Sequence, residues 1–194
     1  EMRAPRPDRI WPWRWGKRGD GGPSAPHPPR RGRVLIATSL GGYAHAQALD
    51  AALATALRLR GGAVRLLLFD GVLPACQMSK PPRVTAETLV STGQAAYCAV
   101  CFGEGSSRFG RLPPVTYSQF LADADRQTAA HIADAVPSEQ IRGFRFRELA
   151  VGEHAYAGAL RFFARGDLDG EPHGDAVLRR YLHAGLVTIM ALDC

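Results

Sequence analysis

The sequence predicts an α/β domain, on three observations. Two apolar runs flank a helical stretch, a glycine pair stands at each end of that stretch, and the last eighty or so residues carry helical periodicity. The first run, Val34 to Ala37, reads as a strand leading into a polar loop with Gly41-Gly42. Leu49, Ala52, Leu53, Ala56 and Leu57 then recur at helical spacing and predict the buried face of a first helix. Gly61-Gly62 ends it, as glycines do at helix C-termini. The second run, Val64 to Phe69, is interrupted only by Arg65 and closes on Asp70. It suits a buried parallel strand, joined to the first by a right-handed crossover. Such a unit places its ligand site at the carboxyl end of the strand, beside the helix N-terminus.

Composition bounds the rest. The 194 residues suffice for one domain with a substantial core. There is no apolar run long enough for a membrane span and no apolar segment of a secretory signal, so a cytoplasmic setting is expected. The chain does not begin with Met, and an incomplete or processed start is expected. The net charge of +6 is not spread evenly. Residues 1–33 hold nine basic and three acidic residues, whereas the other 161 hold fifteen of each. A polyanion would therefore meet only the tail, and no specific nucleic-acid binding is expected. Lys occurs only at Lys17 and Lys80, and Asn is absent. This bias fits a GC-rich coding sequence better than phosphate recognition.

Residues 1–32 carry seven of the fourteen prolines and all three tryptophans, without periodicity, and are expected to form a disordered leader. Its Ile10–Trp15 cluster, IWPWRW, has the chemistry of a peripheral membrane or partner contact. The Rossmann-like domain spans 33–194. Within it, 71–115 reads as a cysteine-containing insert, punctuated by Pro74, Pro81 and Pro82, with a short helix over Thr85 to Gly93 and a glycine-rich loop, FGEGSSRFG. Residues 116–194 read as mainly helical. Helices are predicted over Tyr117–Ala135, over His154–Arg165 and from Asp175 onward, the last with Leu178, Leu182, Leu186 and Met190 on one face. That helix has no C-cap signal before Cys194, so a truncated chain is expected.

Three constellations carry candidate chemistry. The segment Thr38 to His45, TSLGGYAH, is neither a dinucleotide fingerprint nor a P-loop. Gly41 and Gly42 allow a ligand to approach backbone N–H groups, or simply make a strand-to-helix turn. His45, near the helix start, is a candidate general base whose alternative is an exposed or packed imidazole. Asp70 is a candidate to bind a hydroxyl or orient His45; Asp70-Gly71 also has the composition of a turn cap. Next come Cys76, Cys98 and Cys101. The C-x-x-C pair with Cys76 suits a metal, zinc first and iron–sulfur second, with His154, His131 or His45 as fourth ligand. A Cys98–Cys101 disulfide and three inert buried thiols are the alternatives. Finally, Val151 to Ala155 (VGEHA) places Glu153 and His154 adjacent, which excludes the i,i+4 metalloprotease arrangement. Glu153 reads as a helix N-terminal acid, Tyr156 and Leu160 as core, and Glu171, His173 and Asp175 as solvated caps. No G-x-S-x-G elbow and no recognisable DNA- or RNA-binding module is present.

Taken together, LIATSLGG, RGGAVRLLLFDG, LPAC (Leu73 to Cys76), CAVCFGEG, VGEHAYAGALRFFARGDL and VLRRYLHAGLVT resemble the N-terminal part of bacterial capsule or surface polysaccharide biosynthesis proteins, which are similar to GT-B glycosyltransferases. The resemblance covers residues 33–193. It implies a two-Rossmann architecture whose N-terminal half shapes the acceptor side and whose C-terminal half binds a nucleotide-sugar donor. Gly41, Gly42 and His45 would then face the interdomain cleft near the transferred sugar. The partners implied are a nucleotide-sugar, a glycan or lipid-linked acceptor, and the missing C-terminal domain of the same protein; the fragment alone would be inactive. The cysteines are no part of general GT-B chemistry and would form a structural insert. Two other functions remain open on the residues alone: a zinc- or redox-responsive cysteine module, and a Rossmann-like domain for another phosphorylated metabolite.

Overall fold

A computed structural model describes residues 32–192 apart from 111 and 113; of Thr38 and Ser39 it describes the backbone only. The leader, its tryptophan cluster and Cys194 lie outside the described residues. The fold is mixed α/β. Strand β1 (Arg33–Ser39) leads through the Gly41-Gly42 loop into helix α1 (Ala44–Leu59) and strand β2 (Ala63–Leu68). Helices α2 (Ala86–Ser91) and α3 (Ala95–Arg108) precede the two-residue strand β3 (Val115–Thr116). A 3₁₀ turn (Tyr117–Phe120), α4 (Asp123–Ala135), a second 3₁₀ turn (Ser138–Gly143), α5 (Val151–Phe163) and α6 (Gly174–Leu192) form the helical C-terminal portion. The sheet runs β1-β2-β3 with both pairings parallel. The expected pairing of the two apolar runs is therefore present, and the 71–115 segment is the crossover from β2 towards β3.

Alternation along β2 splits the core in two. Leu66 and Leu68 join Ile36, Ala54 and Phe109 on the side covered by α1 and α3. Leu67 and Phe69 face the larger cluster, which takes in Cys76, Cys98 and Cys101 and continues into α4, α5 and α6. In α6 the predicted stripe is buried throughout: Leu178, Leu182, Leu186 and Met190 all belong to this cluster. The α5–α6 contact is close because glycines remove side-chain bulk at the crossing. A Cβ on Gly158 would lie 2.5 Å from the Tyr181 ring, and one on Gly185 would lie 2.6 Å from Val151.

Several expectations are corrected. The predicted buried face of α1 is in fact its outer one: Leu49 and Leu53 are 73% and 50% exposed, while Gln47 and Ala54 are buried. The β-sheet side takes the small and polar residues because α3 crowds that side, as the contacts at Gly105 show below. The FGEGSSRFG segment is mostly not a loop: its residues through Arg108 are in α3, whose glycines are tolerated because tertiary packing outweighs their low propensity. The helix predicted from Tyr117 is broken at Leu121, whose extended backbone separates the 3₁₀ turn from α4. In α5 the core positions are Ala155, Ala159 and Phe162, with Tyr156 and Leu160 only half-buried. Glu171 is not a free solvated cap: its carboxylate pairs with Arg165 Nε at 2.6 Å. Among the described residues, no helix is long and apolar enough to cross a membrane.

Candidate functional site

The loops at the carboxyl ends of the strands hold most of the residues singled out in the sequence. Pairing between β1 and β2 slips between Ile36 and Ser39, just ahead of the glycine loop. Irregularities of this kind re-aim a strand end. The loop then turns onto α3 rather than into open space. A Cβ on Gly41 would fall inside the contact radius of the Cys101 carbonyl oxygen and lie 3.4 Å from its sulfur. One on Gly42 would meet Met78 Cε at 2.6 Å. Reciprocally, a Cβ on Gly105 would meet Gly41 Cα at 2.6 Å and Gln47 Nε2 at 2.7 Å. The glycines thus serve a close approach between loop and helix. Arg108, at the end of α3, fastens the same loop: its Nη1 donates to the Gly41 carbonyl at 2.7 Å and to Gln47 Oε1 at 3.0 Å.

The three cysteines are all buried and unbridged. Burial, first of all, pushes the Cys98 thiol up to about 12, and the neighbouring Cys76, Cys101 and Asp70 add to the shift. The Cys101 thiol is raised by burial too, opposed by the backbone N–H groups of Gly42 and Gly41, which point at its sulfur. The glycine loop, Asp70 and all three cysteines therefore meet in one place. The protonated thiol is the form that burial favours at Cys98 and Cys101, which makes these two sulfurs poor nucleophiles at neutral pH. Among the described residues, no group of three or more His, Cys, Asp or Glu side chains is arranged to hold a metal ion as the structure stands.

The Cys76 loop is tied down from every side. Ser79 Oγ donates to Gln94 Oε1, and Gln94 Nε2 donates to the Leu73 carbonyl at 2.7 Å. Cys76 Sγ lies 3.6 Å from Ser79 Oγ. The Cys76 carbonyl accepts from Arg161 Nη2 of α5 at 3.3 Å and from the Tyr181 hydroxyl of α6 at 3.0 Å. Burial raises the Tyr181 hydroxyl to about 12, which keeps it a donor across the physiological range.

Asp70 and His45 are not brought together by any hydrogen bond. Asp70 Oδ2 accepts from the backbone N–H of Ser118 at 3.3 Å and from the Ser118 hydroxyl, while its Oδ1 is buried with no partner. Asp70 thus links the end of β2 to the turn after β3. His45 is exposed in the first turn of α1. Of the proposed fourth ligands, His131 and His154 are exposed on α4 and α5. Glu153 lies in the first turn of α5 and lines an open surface cavity of about 430 Å³ with Arg142, Tyr156 and Leu160.

Sequence reasoning missed Gln47, Gln94, Arg108 and Tyr181 as parts of this region. Gln47 alone carried a signal, being the one uncharged polar amide in an alanine- and leucine-rich helix. Compared with protein-family models, curated proteins and solved structures, the chain matches none.

Proposed function

We propose that this domain is the acceptor-side half of a GT-B-like glycosyltransferase of surface polysaccharide biosynthesis, transferring sugar from a nucleotide-sugar to a glycan or lipid-linked acceptor. The sequence resemblance suggests the class. The structural support is one observation: parallel strands deliver the Gly41-Gly42 loop, Asp70 and Ser118 to a single sheet edge, with His45 left exposed beside them. Ligands of open parallel α/β sheets sit at that edge. In this role His45 takes the proton from the acceptor hydroxyl, and Asp70 positions the turn that borders the acceptor. The longest reading frame containing these residues is the form to assay, with a panel of nucleotide-sugars as donors and oligosaccharides as acceptors. His45→Ala is expected to lower kcat by about 10²–10⁴-fold without changing the melting temperature, the range for loss of a general base. Full activity in His45→Ala would remove the histidine from the mechanism. Absence of nucleotide-sugar and glycan binding to wild type would remove the transferase class.

A second function, a zinc- or redox-responsive thiol module, is favoured by the convergence of Cys76, Cys98 and Cys101 under the glycine loop. Because Cys98 is protonated to about pH 12 in the fold and its free value is 9.0, the folded state retains that proton over a range where the unfolded chain loses it. The stability contributed is complete below pH 9 and is lost as the pH climbs towards 12. Bound metal would displace the protons and abolish this alkaline loss. On this second reading, and only on it, elemental analysis would show zinc or iron at one per chain, and Cys98→Ser would lose it. Metal-free protein that folds normally with all three cysteines changed to serine would exclude the module.

A further inference from the structure

Asp70 is a fuller hydrogen-bonding group than its place in the fold requires. It follows the end of β2 as Ser118 follows the end of β3, and the ladder that pairs Leu68 with Thr116 brings the two side by side at the carboxyl edge of the sheet. Gly71, at φ +97°, turns the chain away directly afterwards, and a Cβ there would stand 3.2 Å from Cys98 Cβ. One carboxylate oxygen is engaged. Oδ2 accepts from the Ser118 N–H at 3.3 Å and from the Ser118 hydroxyl. That hydroxyl has a single hydrogen, which goes to Asp70, so Thr116 Oγ1 is the donor across the 3.2 Å to Ser118 Oγ. The hydrogens of this chain all run towards Oδ2, and each bond strengthens the next. The other oxygen, Oδ1, is buried with no hydrogen-bond partner.

We infer that Asp70 Oδ1 accepts one hydroxyl of the glycan acceptor, so that Asp70 selects the substrate as well as fastening the turn after β3. The inference rests on the reading of this domain as the acceptor side of a sugar transferase. Fastening the turn uses Oδ2 alone. An uncharged amide oxygen would accept from Ser118 equally well, without a charged oxygen left unmet below the surface. Asp70 and Ser118 are themselves only half-buried, and they stand at the edge where ligands of open parallel sheets sit. A metal ion matches the arrangement less well. Two donors already hold Oδ2, and among the described residues no three His, Cys, Asp or Glu side chains are arranged as a ligand set. A hydroxyl needs one acceptor and finds it in Oδ1. Sites built in this way reject an analogue that lacks the hydroxyl, because the buried partner is then left unpaired.

The test titrates the longest reading frame containing these residues with methyl glycosides of glucose, galactose and mannose, and with their monodeoxy analogues, by calorimetry. Wild type is expected to bind at least one parent glycoside. Removal of one particular hydroxyl should weaken that binding about 10–100-fold, the range for a hydrogen bond to a charged group. Asp70→Asn keeps an oxygen for Ser118 and replaces the charged acceptor at the Oδ1 position. It should bind the same parent at least roughly tenfold more weakly, since a charge-assisted bond is lost. Towards the one sensitive deoxy analogue it should match wild type, so the two losses do not add. A residue that only fastens the turn would give no such coupling. Unchanged binding by Asp70→Asn, or an equal loss with every analogue, would overturn the inference and leave the transferase class standing. The deoxy series on wild type needs no variant: if no single hydroxyl matters by about tenfold, the inference fails even where Asp70→Asn does not fold. Absence of glycoside binding to wild type also overturns it, and absence of nucleotide-sugar binding as well removes the class.

Discussion

Gly152→Ala is expected to destabilise the protein by about 3 kcal/mol or more, at the upper end of the range for overpacking. Gly152 is buried in the first turn of α5, and its N–H donates to the Phe144 carbonyl at 2.9 Å. A Cβ there would overlap the Ile141 carbonyl oxygen, and would stand 2.8 Å from Phe144 N and 3.0 Å from the Arg142 carbonyl oxygen. All three are backbone atoms of the preceding turn, which cannot swing aside as a long side chain can. Either α5 or the turn has to move, and Ile141, fully buried, moves with it. In a helix interior the same exchange ordinarily stabilises by about 0.5–1 kcal/mol. Gly103 of α3 supplies that comparison, because a Cβ there meets nothing within 4 Å. Urea denaturation of the two variants should therefore shift in opposite directions. A Gly152→Ala variant within about 1 kcal/mol of wild type would show that the turn yields, contrary to the packing described.

The second large effect is expected at Gly41→Ala, and it has a chemical signature. The added methyl would drive the loop off α3 at the Cys101 carbonyl, whose carbon lies 2.7 Å from the Cβ position. The Arg108 contact to the Gly41 carbonyl would be strained, and the N–H groups of Gly41 and Gly42 would leave the Cys101 sulfur. Loss of stability should therefore accompany faster alkylation of Cys101 in the native state, read by mass spectrometry after iodoacetamide. Gly42→Ala meets only the flexible end of Met78 and should have the milder effect of the two. A Gly41→Ala protein that stays folded with Cys101 protected would mean that the loop is not pinned to α3. Since folding loss and thiol exposure are read separately, a variant that merely frays elsewhere is distinguished from one that opens this contact.

Much of the framework was legible because short-range rules fix it. The two parallel strands followed from apolar runs of strand length, and α6 from a leucine stripe at helical spacing that is buried as the spacing requires. The short helix expected over Thr85 to Gly93 is present as α2, with Thr85 as its N-cap, accepting from Thr88 N. What local rules could not supply was the direction each face takes. The leucines of α1 obeyed helical spacing, yet α3 lies so close at Gly105 that only Gln47 and Ala54 fit underneath. Periodicity identifies a face but not the neighbour that will occupy it. The candidate site divided the same way. Gly41, Gly42, Asp70 and the cysteines were marked by residue type, and they do meet at one edge. Their tethers, Gln94, Arg108 and Tyr181, are ordinary residues far away in sequence. Only the chain's return to the same place gives them meaning.

The carbonyl of Cys76 joins the first half of the chain to its last helix, since the Tyr181 hydroxyl that caps it comes 105 residues later. On a ribosome this has a temporal meaning. β1, α1 and β2 can pair as soon as they emerge, but the Cys76 loop has neither of its two carbonyl donors until α5 and α6 have been made. Contacts of such long sequence separation are closed late, after their loop entropy has been met. The Cys76 loop is therefore among the late parts of this edge to be fastened during synthesis. A nascent chain halted before α5 would hold Cys76 in a loop that lacks both of these tethers.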